Sequence, residues 1–141
     1  MKLKKTLTLN VKKQLLIANG TLFAAGAAGY ALIEVLWRGY THWSMAVAGG
    51  VCFLEFGRLW EKLKTLKRIY IPLFGSAVIT FVELVFGVLF NIILKKRVWD
   101  YSRMPFQFMG QICVLFSTLW GLLSIIALPL AGKIRAKITK N

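Results

Sequence analysis

Acidic residues, histidine and cysteine are scarce in this chain. Its 141 residues hold five Asp and Glu, one His and two Cys, against nineteen Lys and Arg. Cys52 and Cys113 lie inside apolar segments with no CxxC or Cys/His spacing. That excludes the common zinc and redox motifs, and both residues read as buried packing residues. No GxxxxGK[ST] sequence occurs, so the chain does not hydrolyse ATP as a P-loop enzyme. HExxH and GxSxG are missing too, which leaves metalloprotease and serine-hydrolase signatures without support. Tandem repeats and low-complexity linkers are also absent. A single transmembrane domain over residues 1–141 is expected, with short basic ends (1–13 and 132–141) and no metal or other cofactor.

What the chain has is apolar length. Hydrophobic residues make up 57%, and mean hydropathy is +0.64 despite the lysines and arginines. A net charge of +14 would suit a nucleic-acid partner if the charge formed a patch. It is instead confined to the ends of four apolar segments, where membrane lipids with anionic headgroups are the simpler partner, and nucleic acid is set aside. The first apolar run follows lysines, as a signal peptide would. It is longer than the roughly 7–15 residues of a signal h-region and lacks an A-x-A-like cleavage site, so it reads as a retained span.

The expected fold is all-α: an integral membrane four-helix bundle with spans at about Leu15–Trp37, Trp43–Trp60, Ile69–Leu94 and Phe106–Ala131. The second is the weakest, being short and carrying Glu55, Gly49 and Gly50. Trp37, Trp43, Trp60 and Trp99 fall at segment ends, as an interfacial aromatic belt does. The two ends and the second loop carry more Lys and Arg than the first and third loops, which favours cytoplasmic N- and C-termini in a cell membrane. Lys95, Lys96 and Arg97 in the third loop run against that assignment. Gly20, Ala24 and Ala28 recur every four residues, a spacing that lets helices approach closely, inside the bundle or in a homo-oligomer. Pro129 is expected to kink or end the fourth span.

The segment Tyr30–Met45, YALIEVLWRGYTHWSM, concentrates the unusual residues. Glu34 stands in the last turn of the first span, and Arg38 follows at i+4, the favoured order for an ion pair on one helix face. Up-and-down spans bring Glu34, Arg38, His42, Glu83, Asp100, Gln107 and Gln111 into the same half of the membrane. Gln107 and Gln111, four apart, are expected on one helical face with Thr118 extending it. This set reads either as a ligand or proton site or as an interhelical network. Such hydrogen bonds in lipid are often worth only ~0.6 kcal/mol, a weak reason to retain polar groups for stability alone. Glu55, Arg58 and Glu61, three apart at each step, are expected to form structural ion pairs at the opposite membrane edge.

Three blocks carry a wider likeness: GYALIEVLWRGYTHWSMAVAGG (Gly29–Gly50), FVELVFG (Phe81–Gly87) and VWDYSRMPFQFMGQICVLFSTLWGLLS (Val98–Ser124). Over roughly residues 20–128 the chain resembles the ABC-transporter permease type IV family, the CmpB-like group of small bacterial integral membrane proteins. The resemblance implies a permease-like transport subunit that works with a separate ATPase subunit, in a dimer or larger complex. In that case Arg38 and His42 attract an anionic or polar ligand, Glu34 and Glu83 line the site and exchange protons, and Gln107 and Gln111 supply hydrogen bonds. Two rivals remain open: an intramembrane enzyme acting on a lipid or other amphiphile, and a small accessory or scaffold subunit.

Overall fold

A computed structural model of the protein describes residues 2–139. Met1, Lys140 and Asn141 lie outside the described residues, as do the side chains of residues 2–6, so the extremities of both basic ends fall outside them. Four helices carry the fold: α1 (Lys2–Arg38), α2 (Trp43–Leu63), α3 (Tyr70–Phe86) and α4 (Val114–Thr139). A π-helical stretch, Gly87–Ile93, prolongs α3. The connection from there to α4 holds a small antiparallel hairpin, β1 (Gln107–Phe108) with β2 (Ile112–Cys113), in which Gln107 faces Cys113 and Phe108 faces Ile112. The all-α bundle is therefore as expected.

Three helical stretches are long and apolar enough to cross a membrane: Leu7–Arg38, Tyr70–Ile93 and Val114–Thr139. The expected second span, α2, is not among them. Its interior explains how it dispenses with apolarity. Ser44, Met45, Ala48, Gly49, Gly50, Cys52, Phe56 and Gly57 are all buried within the protein, so less of α2 faces lipid.

Other boundaries also differ from expectation. No proline or glycine interrupts the stretch before Gly20, and good helix formers such as Lys, Leu and Gln let α1 start well before Leu15. The fourth helix starts at Val114 rather than Phe106, because Phe106, Met109 and Gly110 all adopt positive φ and turn the chain. Pro129 does not end α4, which runs on to Thr139; transmembrane helices tolerate proline where neighbouring groups take up the freed carbonyl. Trp99 is buried rather than part of a belt, and its indole N–H donates to the Gln111 carbonyl at 3.0 Å.

Close packing runs along a row that differs from the expected one. Gly20, Ala24 and Ala28 are exposed, whereas Gly26 of α1 meets Gly49 of α2 so closely that a Cβ on either would collide with backbone or with the first carbon of a side chain. In lipid the helices gain little from hiding apolar surface from one another, so such contact at small residues is what joins them. Gly75 against Ser124 does the same for α3 and α4. The main core gathers Leu22, Cys52, Phe56, Ile79, Val82 and Leu128 in mid-bundle. A second cluster of Met45, Phe90, Val98 and Trp99 lies where α2 begins and the connection folds back.

Candidate functional site

The short turn after α1 ends the helix with Gly39 at φ +80, its N–H bonded to the Val35 carbonyl at 2.9 Å. A left-handed residue there is the usual helix terminator. It leaves Arg38 as the last helical residue, facing back along α1. Arg38 pairs with Glu34, donates to the Val98 carbonyl at 2.9 Å, and lies over the Tyr40 ring at 4.6 Å. The expected ion pair exists, and it also ties α1 to the distant connection.

Glu83 projects from α3 and is only 3% exposed. The Tyr101 hydroxyl donates to its Oε1 across a long 3.4 Å. Burial, followed by the nearby negative charge of Glu83, pushes the Tyr101 phenol well above its ordinary value, so it stays a donor. Trp120 of α4 brings its indole N–H close to the same carboxylate. Even so, Glu83 Oε2, Trp120 Nε1 and Arg38 Nε are buried without a hydrogen-bond partner among the described residues. Unsatisfied groups of this kind are uncommon in native interiors. Three here border one region.

The remaining candidates build the frame. The His42 Nδ1 accepts the Ser44 N–H at 3.3 Å and lies 2.7 Å from the Ser44 hydroxyl, so the ring caps α2. Gln111 is buried beside Gly87, accepts from Asn91 Nδ2 at 2.7 Å and donates to the Met109 carbonyl at 3.0 Å. Asn91 Oδ1 in turn accepts the Val98 N–H at 2.7 Å. These bonds hold the wide π turns where helix, connection and hairpin meet, a setting in which π segments recur at functional sites. Gln107 accepts the Gly110 N–H at 2.7 Å within its own hairpin. It shares no helical face with Gln111, since neither residue is helical, and Thr118 bonds back to the Val114 carbonyl. Asp100 is exposed and accepts the Ser102 N–H at 2.8 Å, which holds its carboxyl below the ordinary range. Neither Asp100 nor Gln107 reaches Glu83.

Two cavities lie along the seam between α1 and α4. The one nearer the connection encloses about 430 Å³ and is bordered by Tyr30, Glu34, Arg38, Trp99, Tyr101 and Trp120. The deeper one encloses about 260 Å³ among Gly26, Gly29, Phe53, Val82, Leu123 and Ala127, with Glu83 also in its wall. Tyr30, Ile33 and Met45 border both, so the two form one slot, polar at one end and apolar at the other. Ile33 and Leu130 on its rim are exposed, which opens the slot sideways toward lipid.

The profile of a family described as "Putative ABC-transporter type IV" matches residues 22–140. The chain belongs to this family. The match takes in every residue of the slot and of the frame around it. No curated protein and no solved structure matches the chain. The family's description and the three apolar helices together describe a membrane protein of ABC-transporter type.

Tyr30, Tyr101 and Trp120 are the site residues that sequence reasoning missed in this family member. Tyr30 lies in the segment Tyr30–Met45 and Tyr101 beside Asp100, but the aromatic reading covered only the four tryptophans at segment ends. At the opposite end, Glu55 pairs with Arg58 at 2.6 Å as expected. Glu61 instead pairs with Lys64 at 2.5 Å, because α2 runs on to Leu63 and places that lysine one turn away.

Proposed function

We propose that the chain is the membrane-embedded, permease-like subunit of a transporter and takes its cargo at the α1–α4 slot. The observation that carries this reading is the slot itself: a partly open cavity of about 430 Å³ with a part-buried ion pair in its wall, continuous with a deeper cavity that Glu83 borders. Pockets of a few hundred Å³ with few converging polar groups are the common form of a small-molecule site. Ionisable residues inside a membrane segment mark functional positions.

In this reading Glu34, Arg38 and Glu83 wall the site, while His42 and Gln111 hold its frame. Asp100 and Gln107 shape the connection above it. The distribution of Lys and Arg supports an orientation with this end on the outer side of the cell membrane and both termini in the cytoplasm. Energy comes from a separate P-loop ATPase subunit, which the basic α2–α3 turn would face, and the exposed Gly20, Ala24 and Ala28 row gives a second copy a surface for close packing. An intramembrane enzyme has less support, since His42 caps a helix and borders neither cavity.

Purifying the tagged full chain from its native membrane tests the proposal. A P-loop ATPase recovered in stoichiometric amount, with ATP turnover altered by Glu83→Gln, is the expected result. Recovery of the folded chain with no such ATPase overturns it.

A further inference from the structure

One of the two carboxyl groups along the slot has no basic partner among the described residues. Glu34 is neutralised by Arg38, whose guanidinium also serves the Val98 carbonyl. Glu83 has no basic partner among the described residues, and Arg38 is the only Lys or Arg bordering either cavity. The titratable groups around Glu83 are Tyr30 and Glu34 from α1, Cys52 from α2 and Tyr101 from the connection; each is neutral or acidic. A carboxylate removed from water without a countercharge is costly, so Glu83 is held as the anion only when a cation comes beside it.

The walls suit a particular kind of cation. Tyr30, Trp99, Tyr101, Phe116 and Trp120 border the polar cavity. Tyr30 stands 5.7 Å from Trp120, and Tyr101 stacks on Phe116 at 4.7 Å, between ring centroids. Aromatic faces attract alkylated ammonium groups, which bring charge without demanding hydrogen bonds. The deeper cavity is walled almost wholly by hydrocarbon, the right lining for a chain attached to that head. An anionic amphiphile would meet two carboxylates and an arginine that is already engaged.

We infer that the slot binds a single-chain cationic amphiphile, its alkylammonium head among Glu83, Tyr101 and Trp120 and its tail in the cavity beside Gly29. This names the cargo class of the transport reading above and rests on that reading for its role, though binding is measured independently of any ATPase.

The test is calorimetric titration of the full chain in neutral maltoside detergent. The probes are dodecyltrimethylammonium, tetramethylammonium, laurate and dodecanol. Dodecyltrimethylammonium is expected to saturate one site at least about tenfold more tightly than laurate or dodecanol, and Glu83→Gln to weaken it by about tenfold or more. Glu55→Gln, at the far end of α2, leaves binding unchanged. Gly29 has open space where a Cβ would stand, so Gly29→Leu is expected to fold and to fill the tail cavity. It should weaken dodecyltrimethylammonium and spare tetramethylammonium.

Equal binding of laurate or dodecanol overturns the inference, as does undiminished cation binding by folded Glu83→Gln. If Glu83→Gln does not fold, unchanged dodecyltrimethylammonium affinity in Gly29→Leu overturns it instead. Recovery of an ATPase without cation binding removes the cargo class and keeps the permease reading. Selective cation binding without an ATPase does the reverse.

Discussion

The two ends of the bundle use the same residue types for different purposes. At the end carrying the α2–α3 turn, Glu55–Arg58 and Glu61–Lys64 are neighbours within one helix or its cap, and all four side chains are substantially exposed. At the other end, Glu34–Arg38 starts as a local pair but reaches Val98, sixty residues away. Beside it, Asn91, Gln111 and Trp99 join the π stretch, the hairpin and the connection through buried and part-buried hydrogen bonds. Exposed pairs are screened by water and lose side-chain entropy when they form, so they contribute little. Buried polar groups are costly to leave unmatched, so their partners specify one arrangement of the chain. The lesson is that sequence spacing reveals an ion pair but not its weight, because the weight depends on what lies across from it.

Four measurements sharpen or break this contrast. The largest effect is expected for Arg38→Ala, which strands Glu34 and the Val98 carbonyl; since the pair is part-buried, the loss should be about 2–4 kcal/mol, near the low end for breaking a buried pair. Unfolding in mixed micelles measures it, and a loss below that of Arg58→Ala would erase the distinction. Gln111→Ala comes next. It orphans the Asn91 amide and should cost about 1–3 kcal/mol, with faster amide exchange across Gly87–Ile93; unchanged exchange there would mean that the π turns do not depend on this bond.

Arg58→Ala should cost only about 0–1 kcal/mol, diminishing with added salt. A larger, salt-independent loss would show that the exposed end is also a tertiary contact. Smallest of all is the acid response of Asp100. Its folded value is lowered, so its contribution is fully present above the unfolded value of about 3.9 and disappears as pH falls through the lower folded one. The Ser102 amide signal in an NMR titration should shift in that acid window and nowhere above it; a shift nearer neutrality would assign the Ser102 contact to another group.

Much of the architecture was legible beforehand. Apolar runs separated by basic clusters announced membrane helices, and the i+4 spacing announced Glu34–Arg38. The burial of Cys52 and Cys113 was legible too, since both lie inside apolar segments. The start of α4 was not. Residues 106–113 are apolar enough to extend the fourth run, and hydropathy does not register the positive φ angles that fold them into a hairpin. Reading Gln107 and Gln111 as one helical stripe failed from the same cause. The second helix misled in the opposite direction: it packs as part of the bundle while remaining less apolar than its neighbours, because other helices rather than lipid cover much of it.

By itself the sequence determined the class of the protein, its four helices, the segregation of its charge and the ion pairs Glu34–Arg38 and Glu55–Arg58, set by helical spacing. These follow from composition and from periodicities of a few residues, which act within one element. Only the tertiary structure decided that Tyr101 and Trp120 turn toward Glu83 and that Gln111 anchors the π turns. Those contacts join residues that lie in different elements or face one another across a fold of the connection. They depend on where the 94–113 connection comes to rest against α3 and α4, a placement that many weak contacts settle jointly and no local pattern encodes.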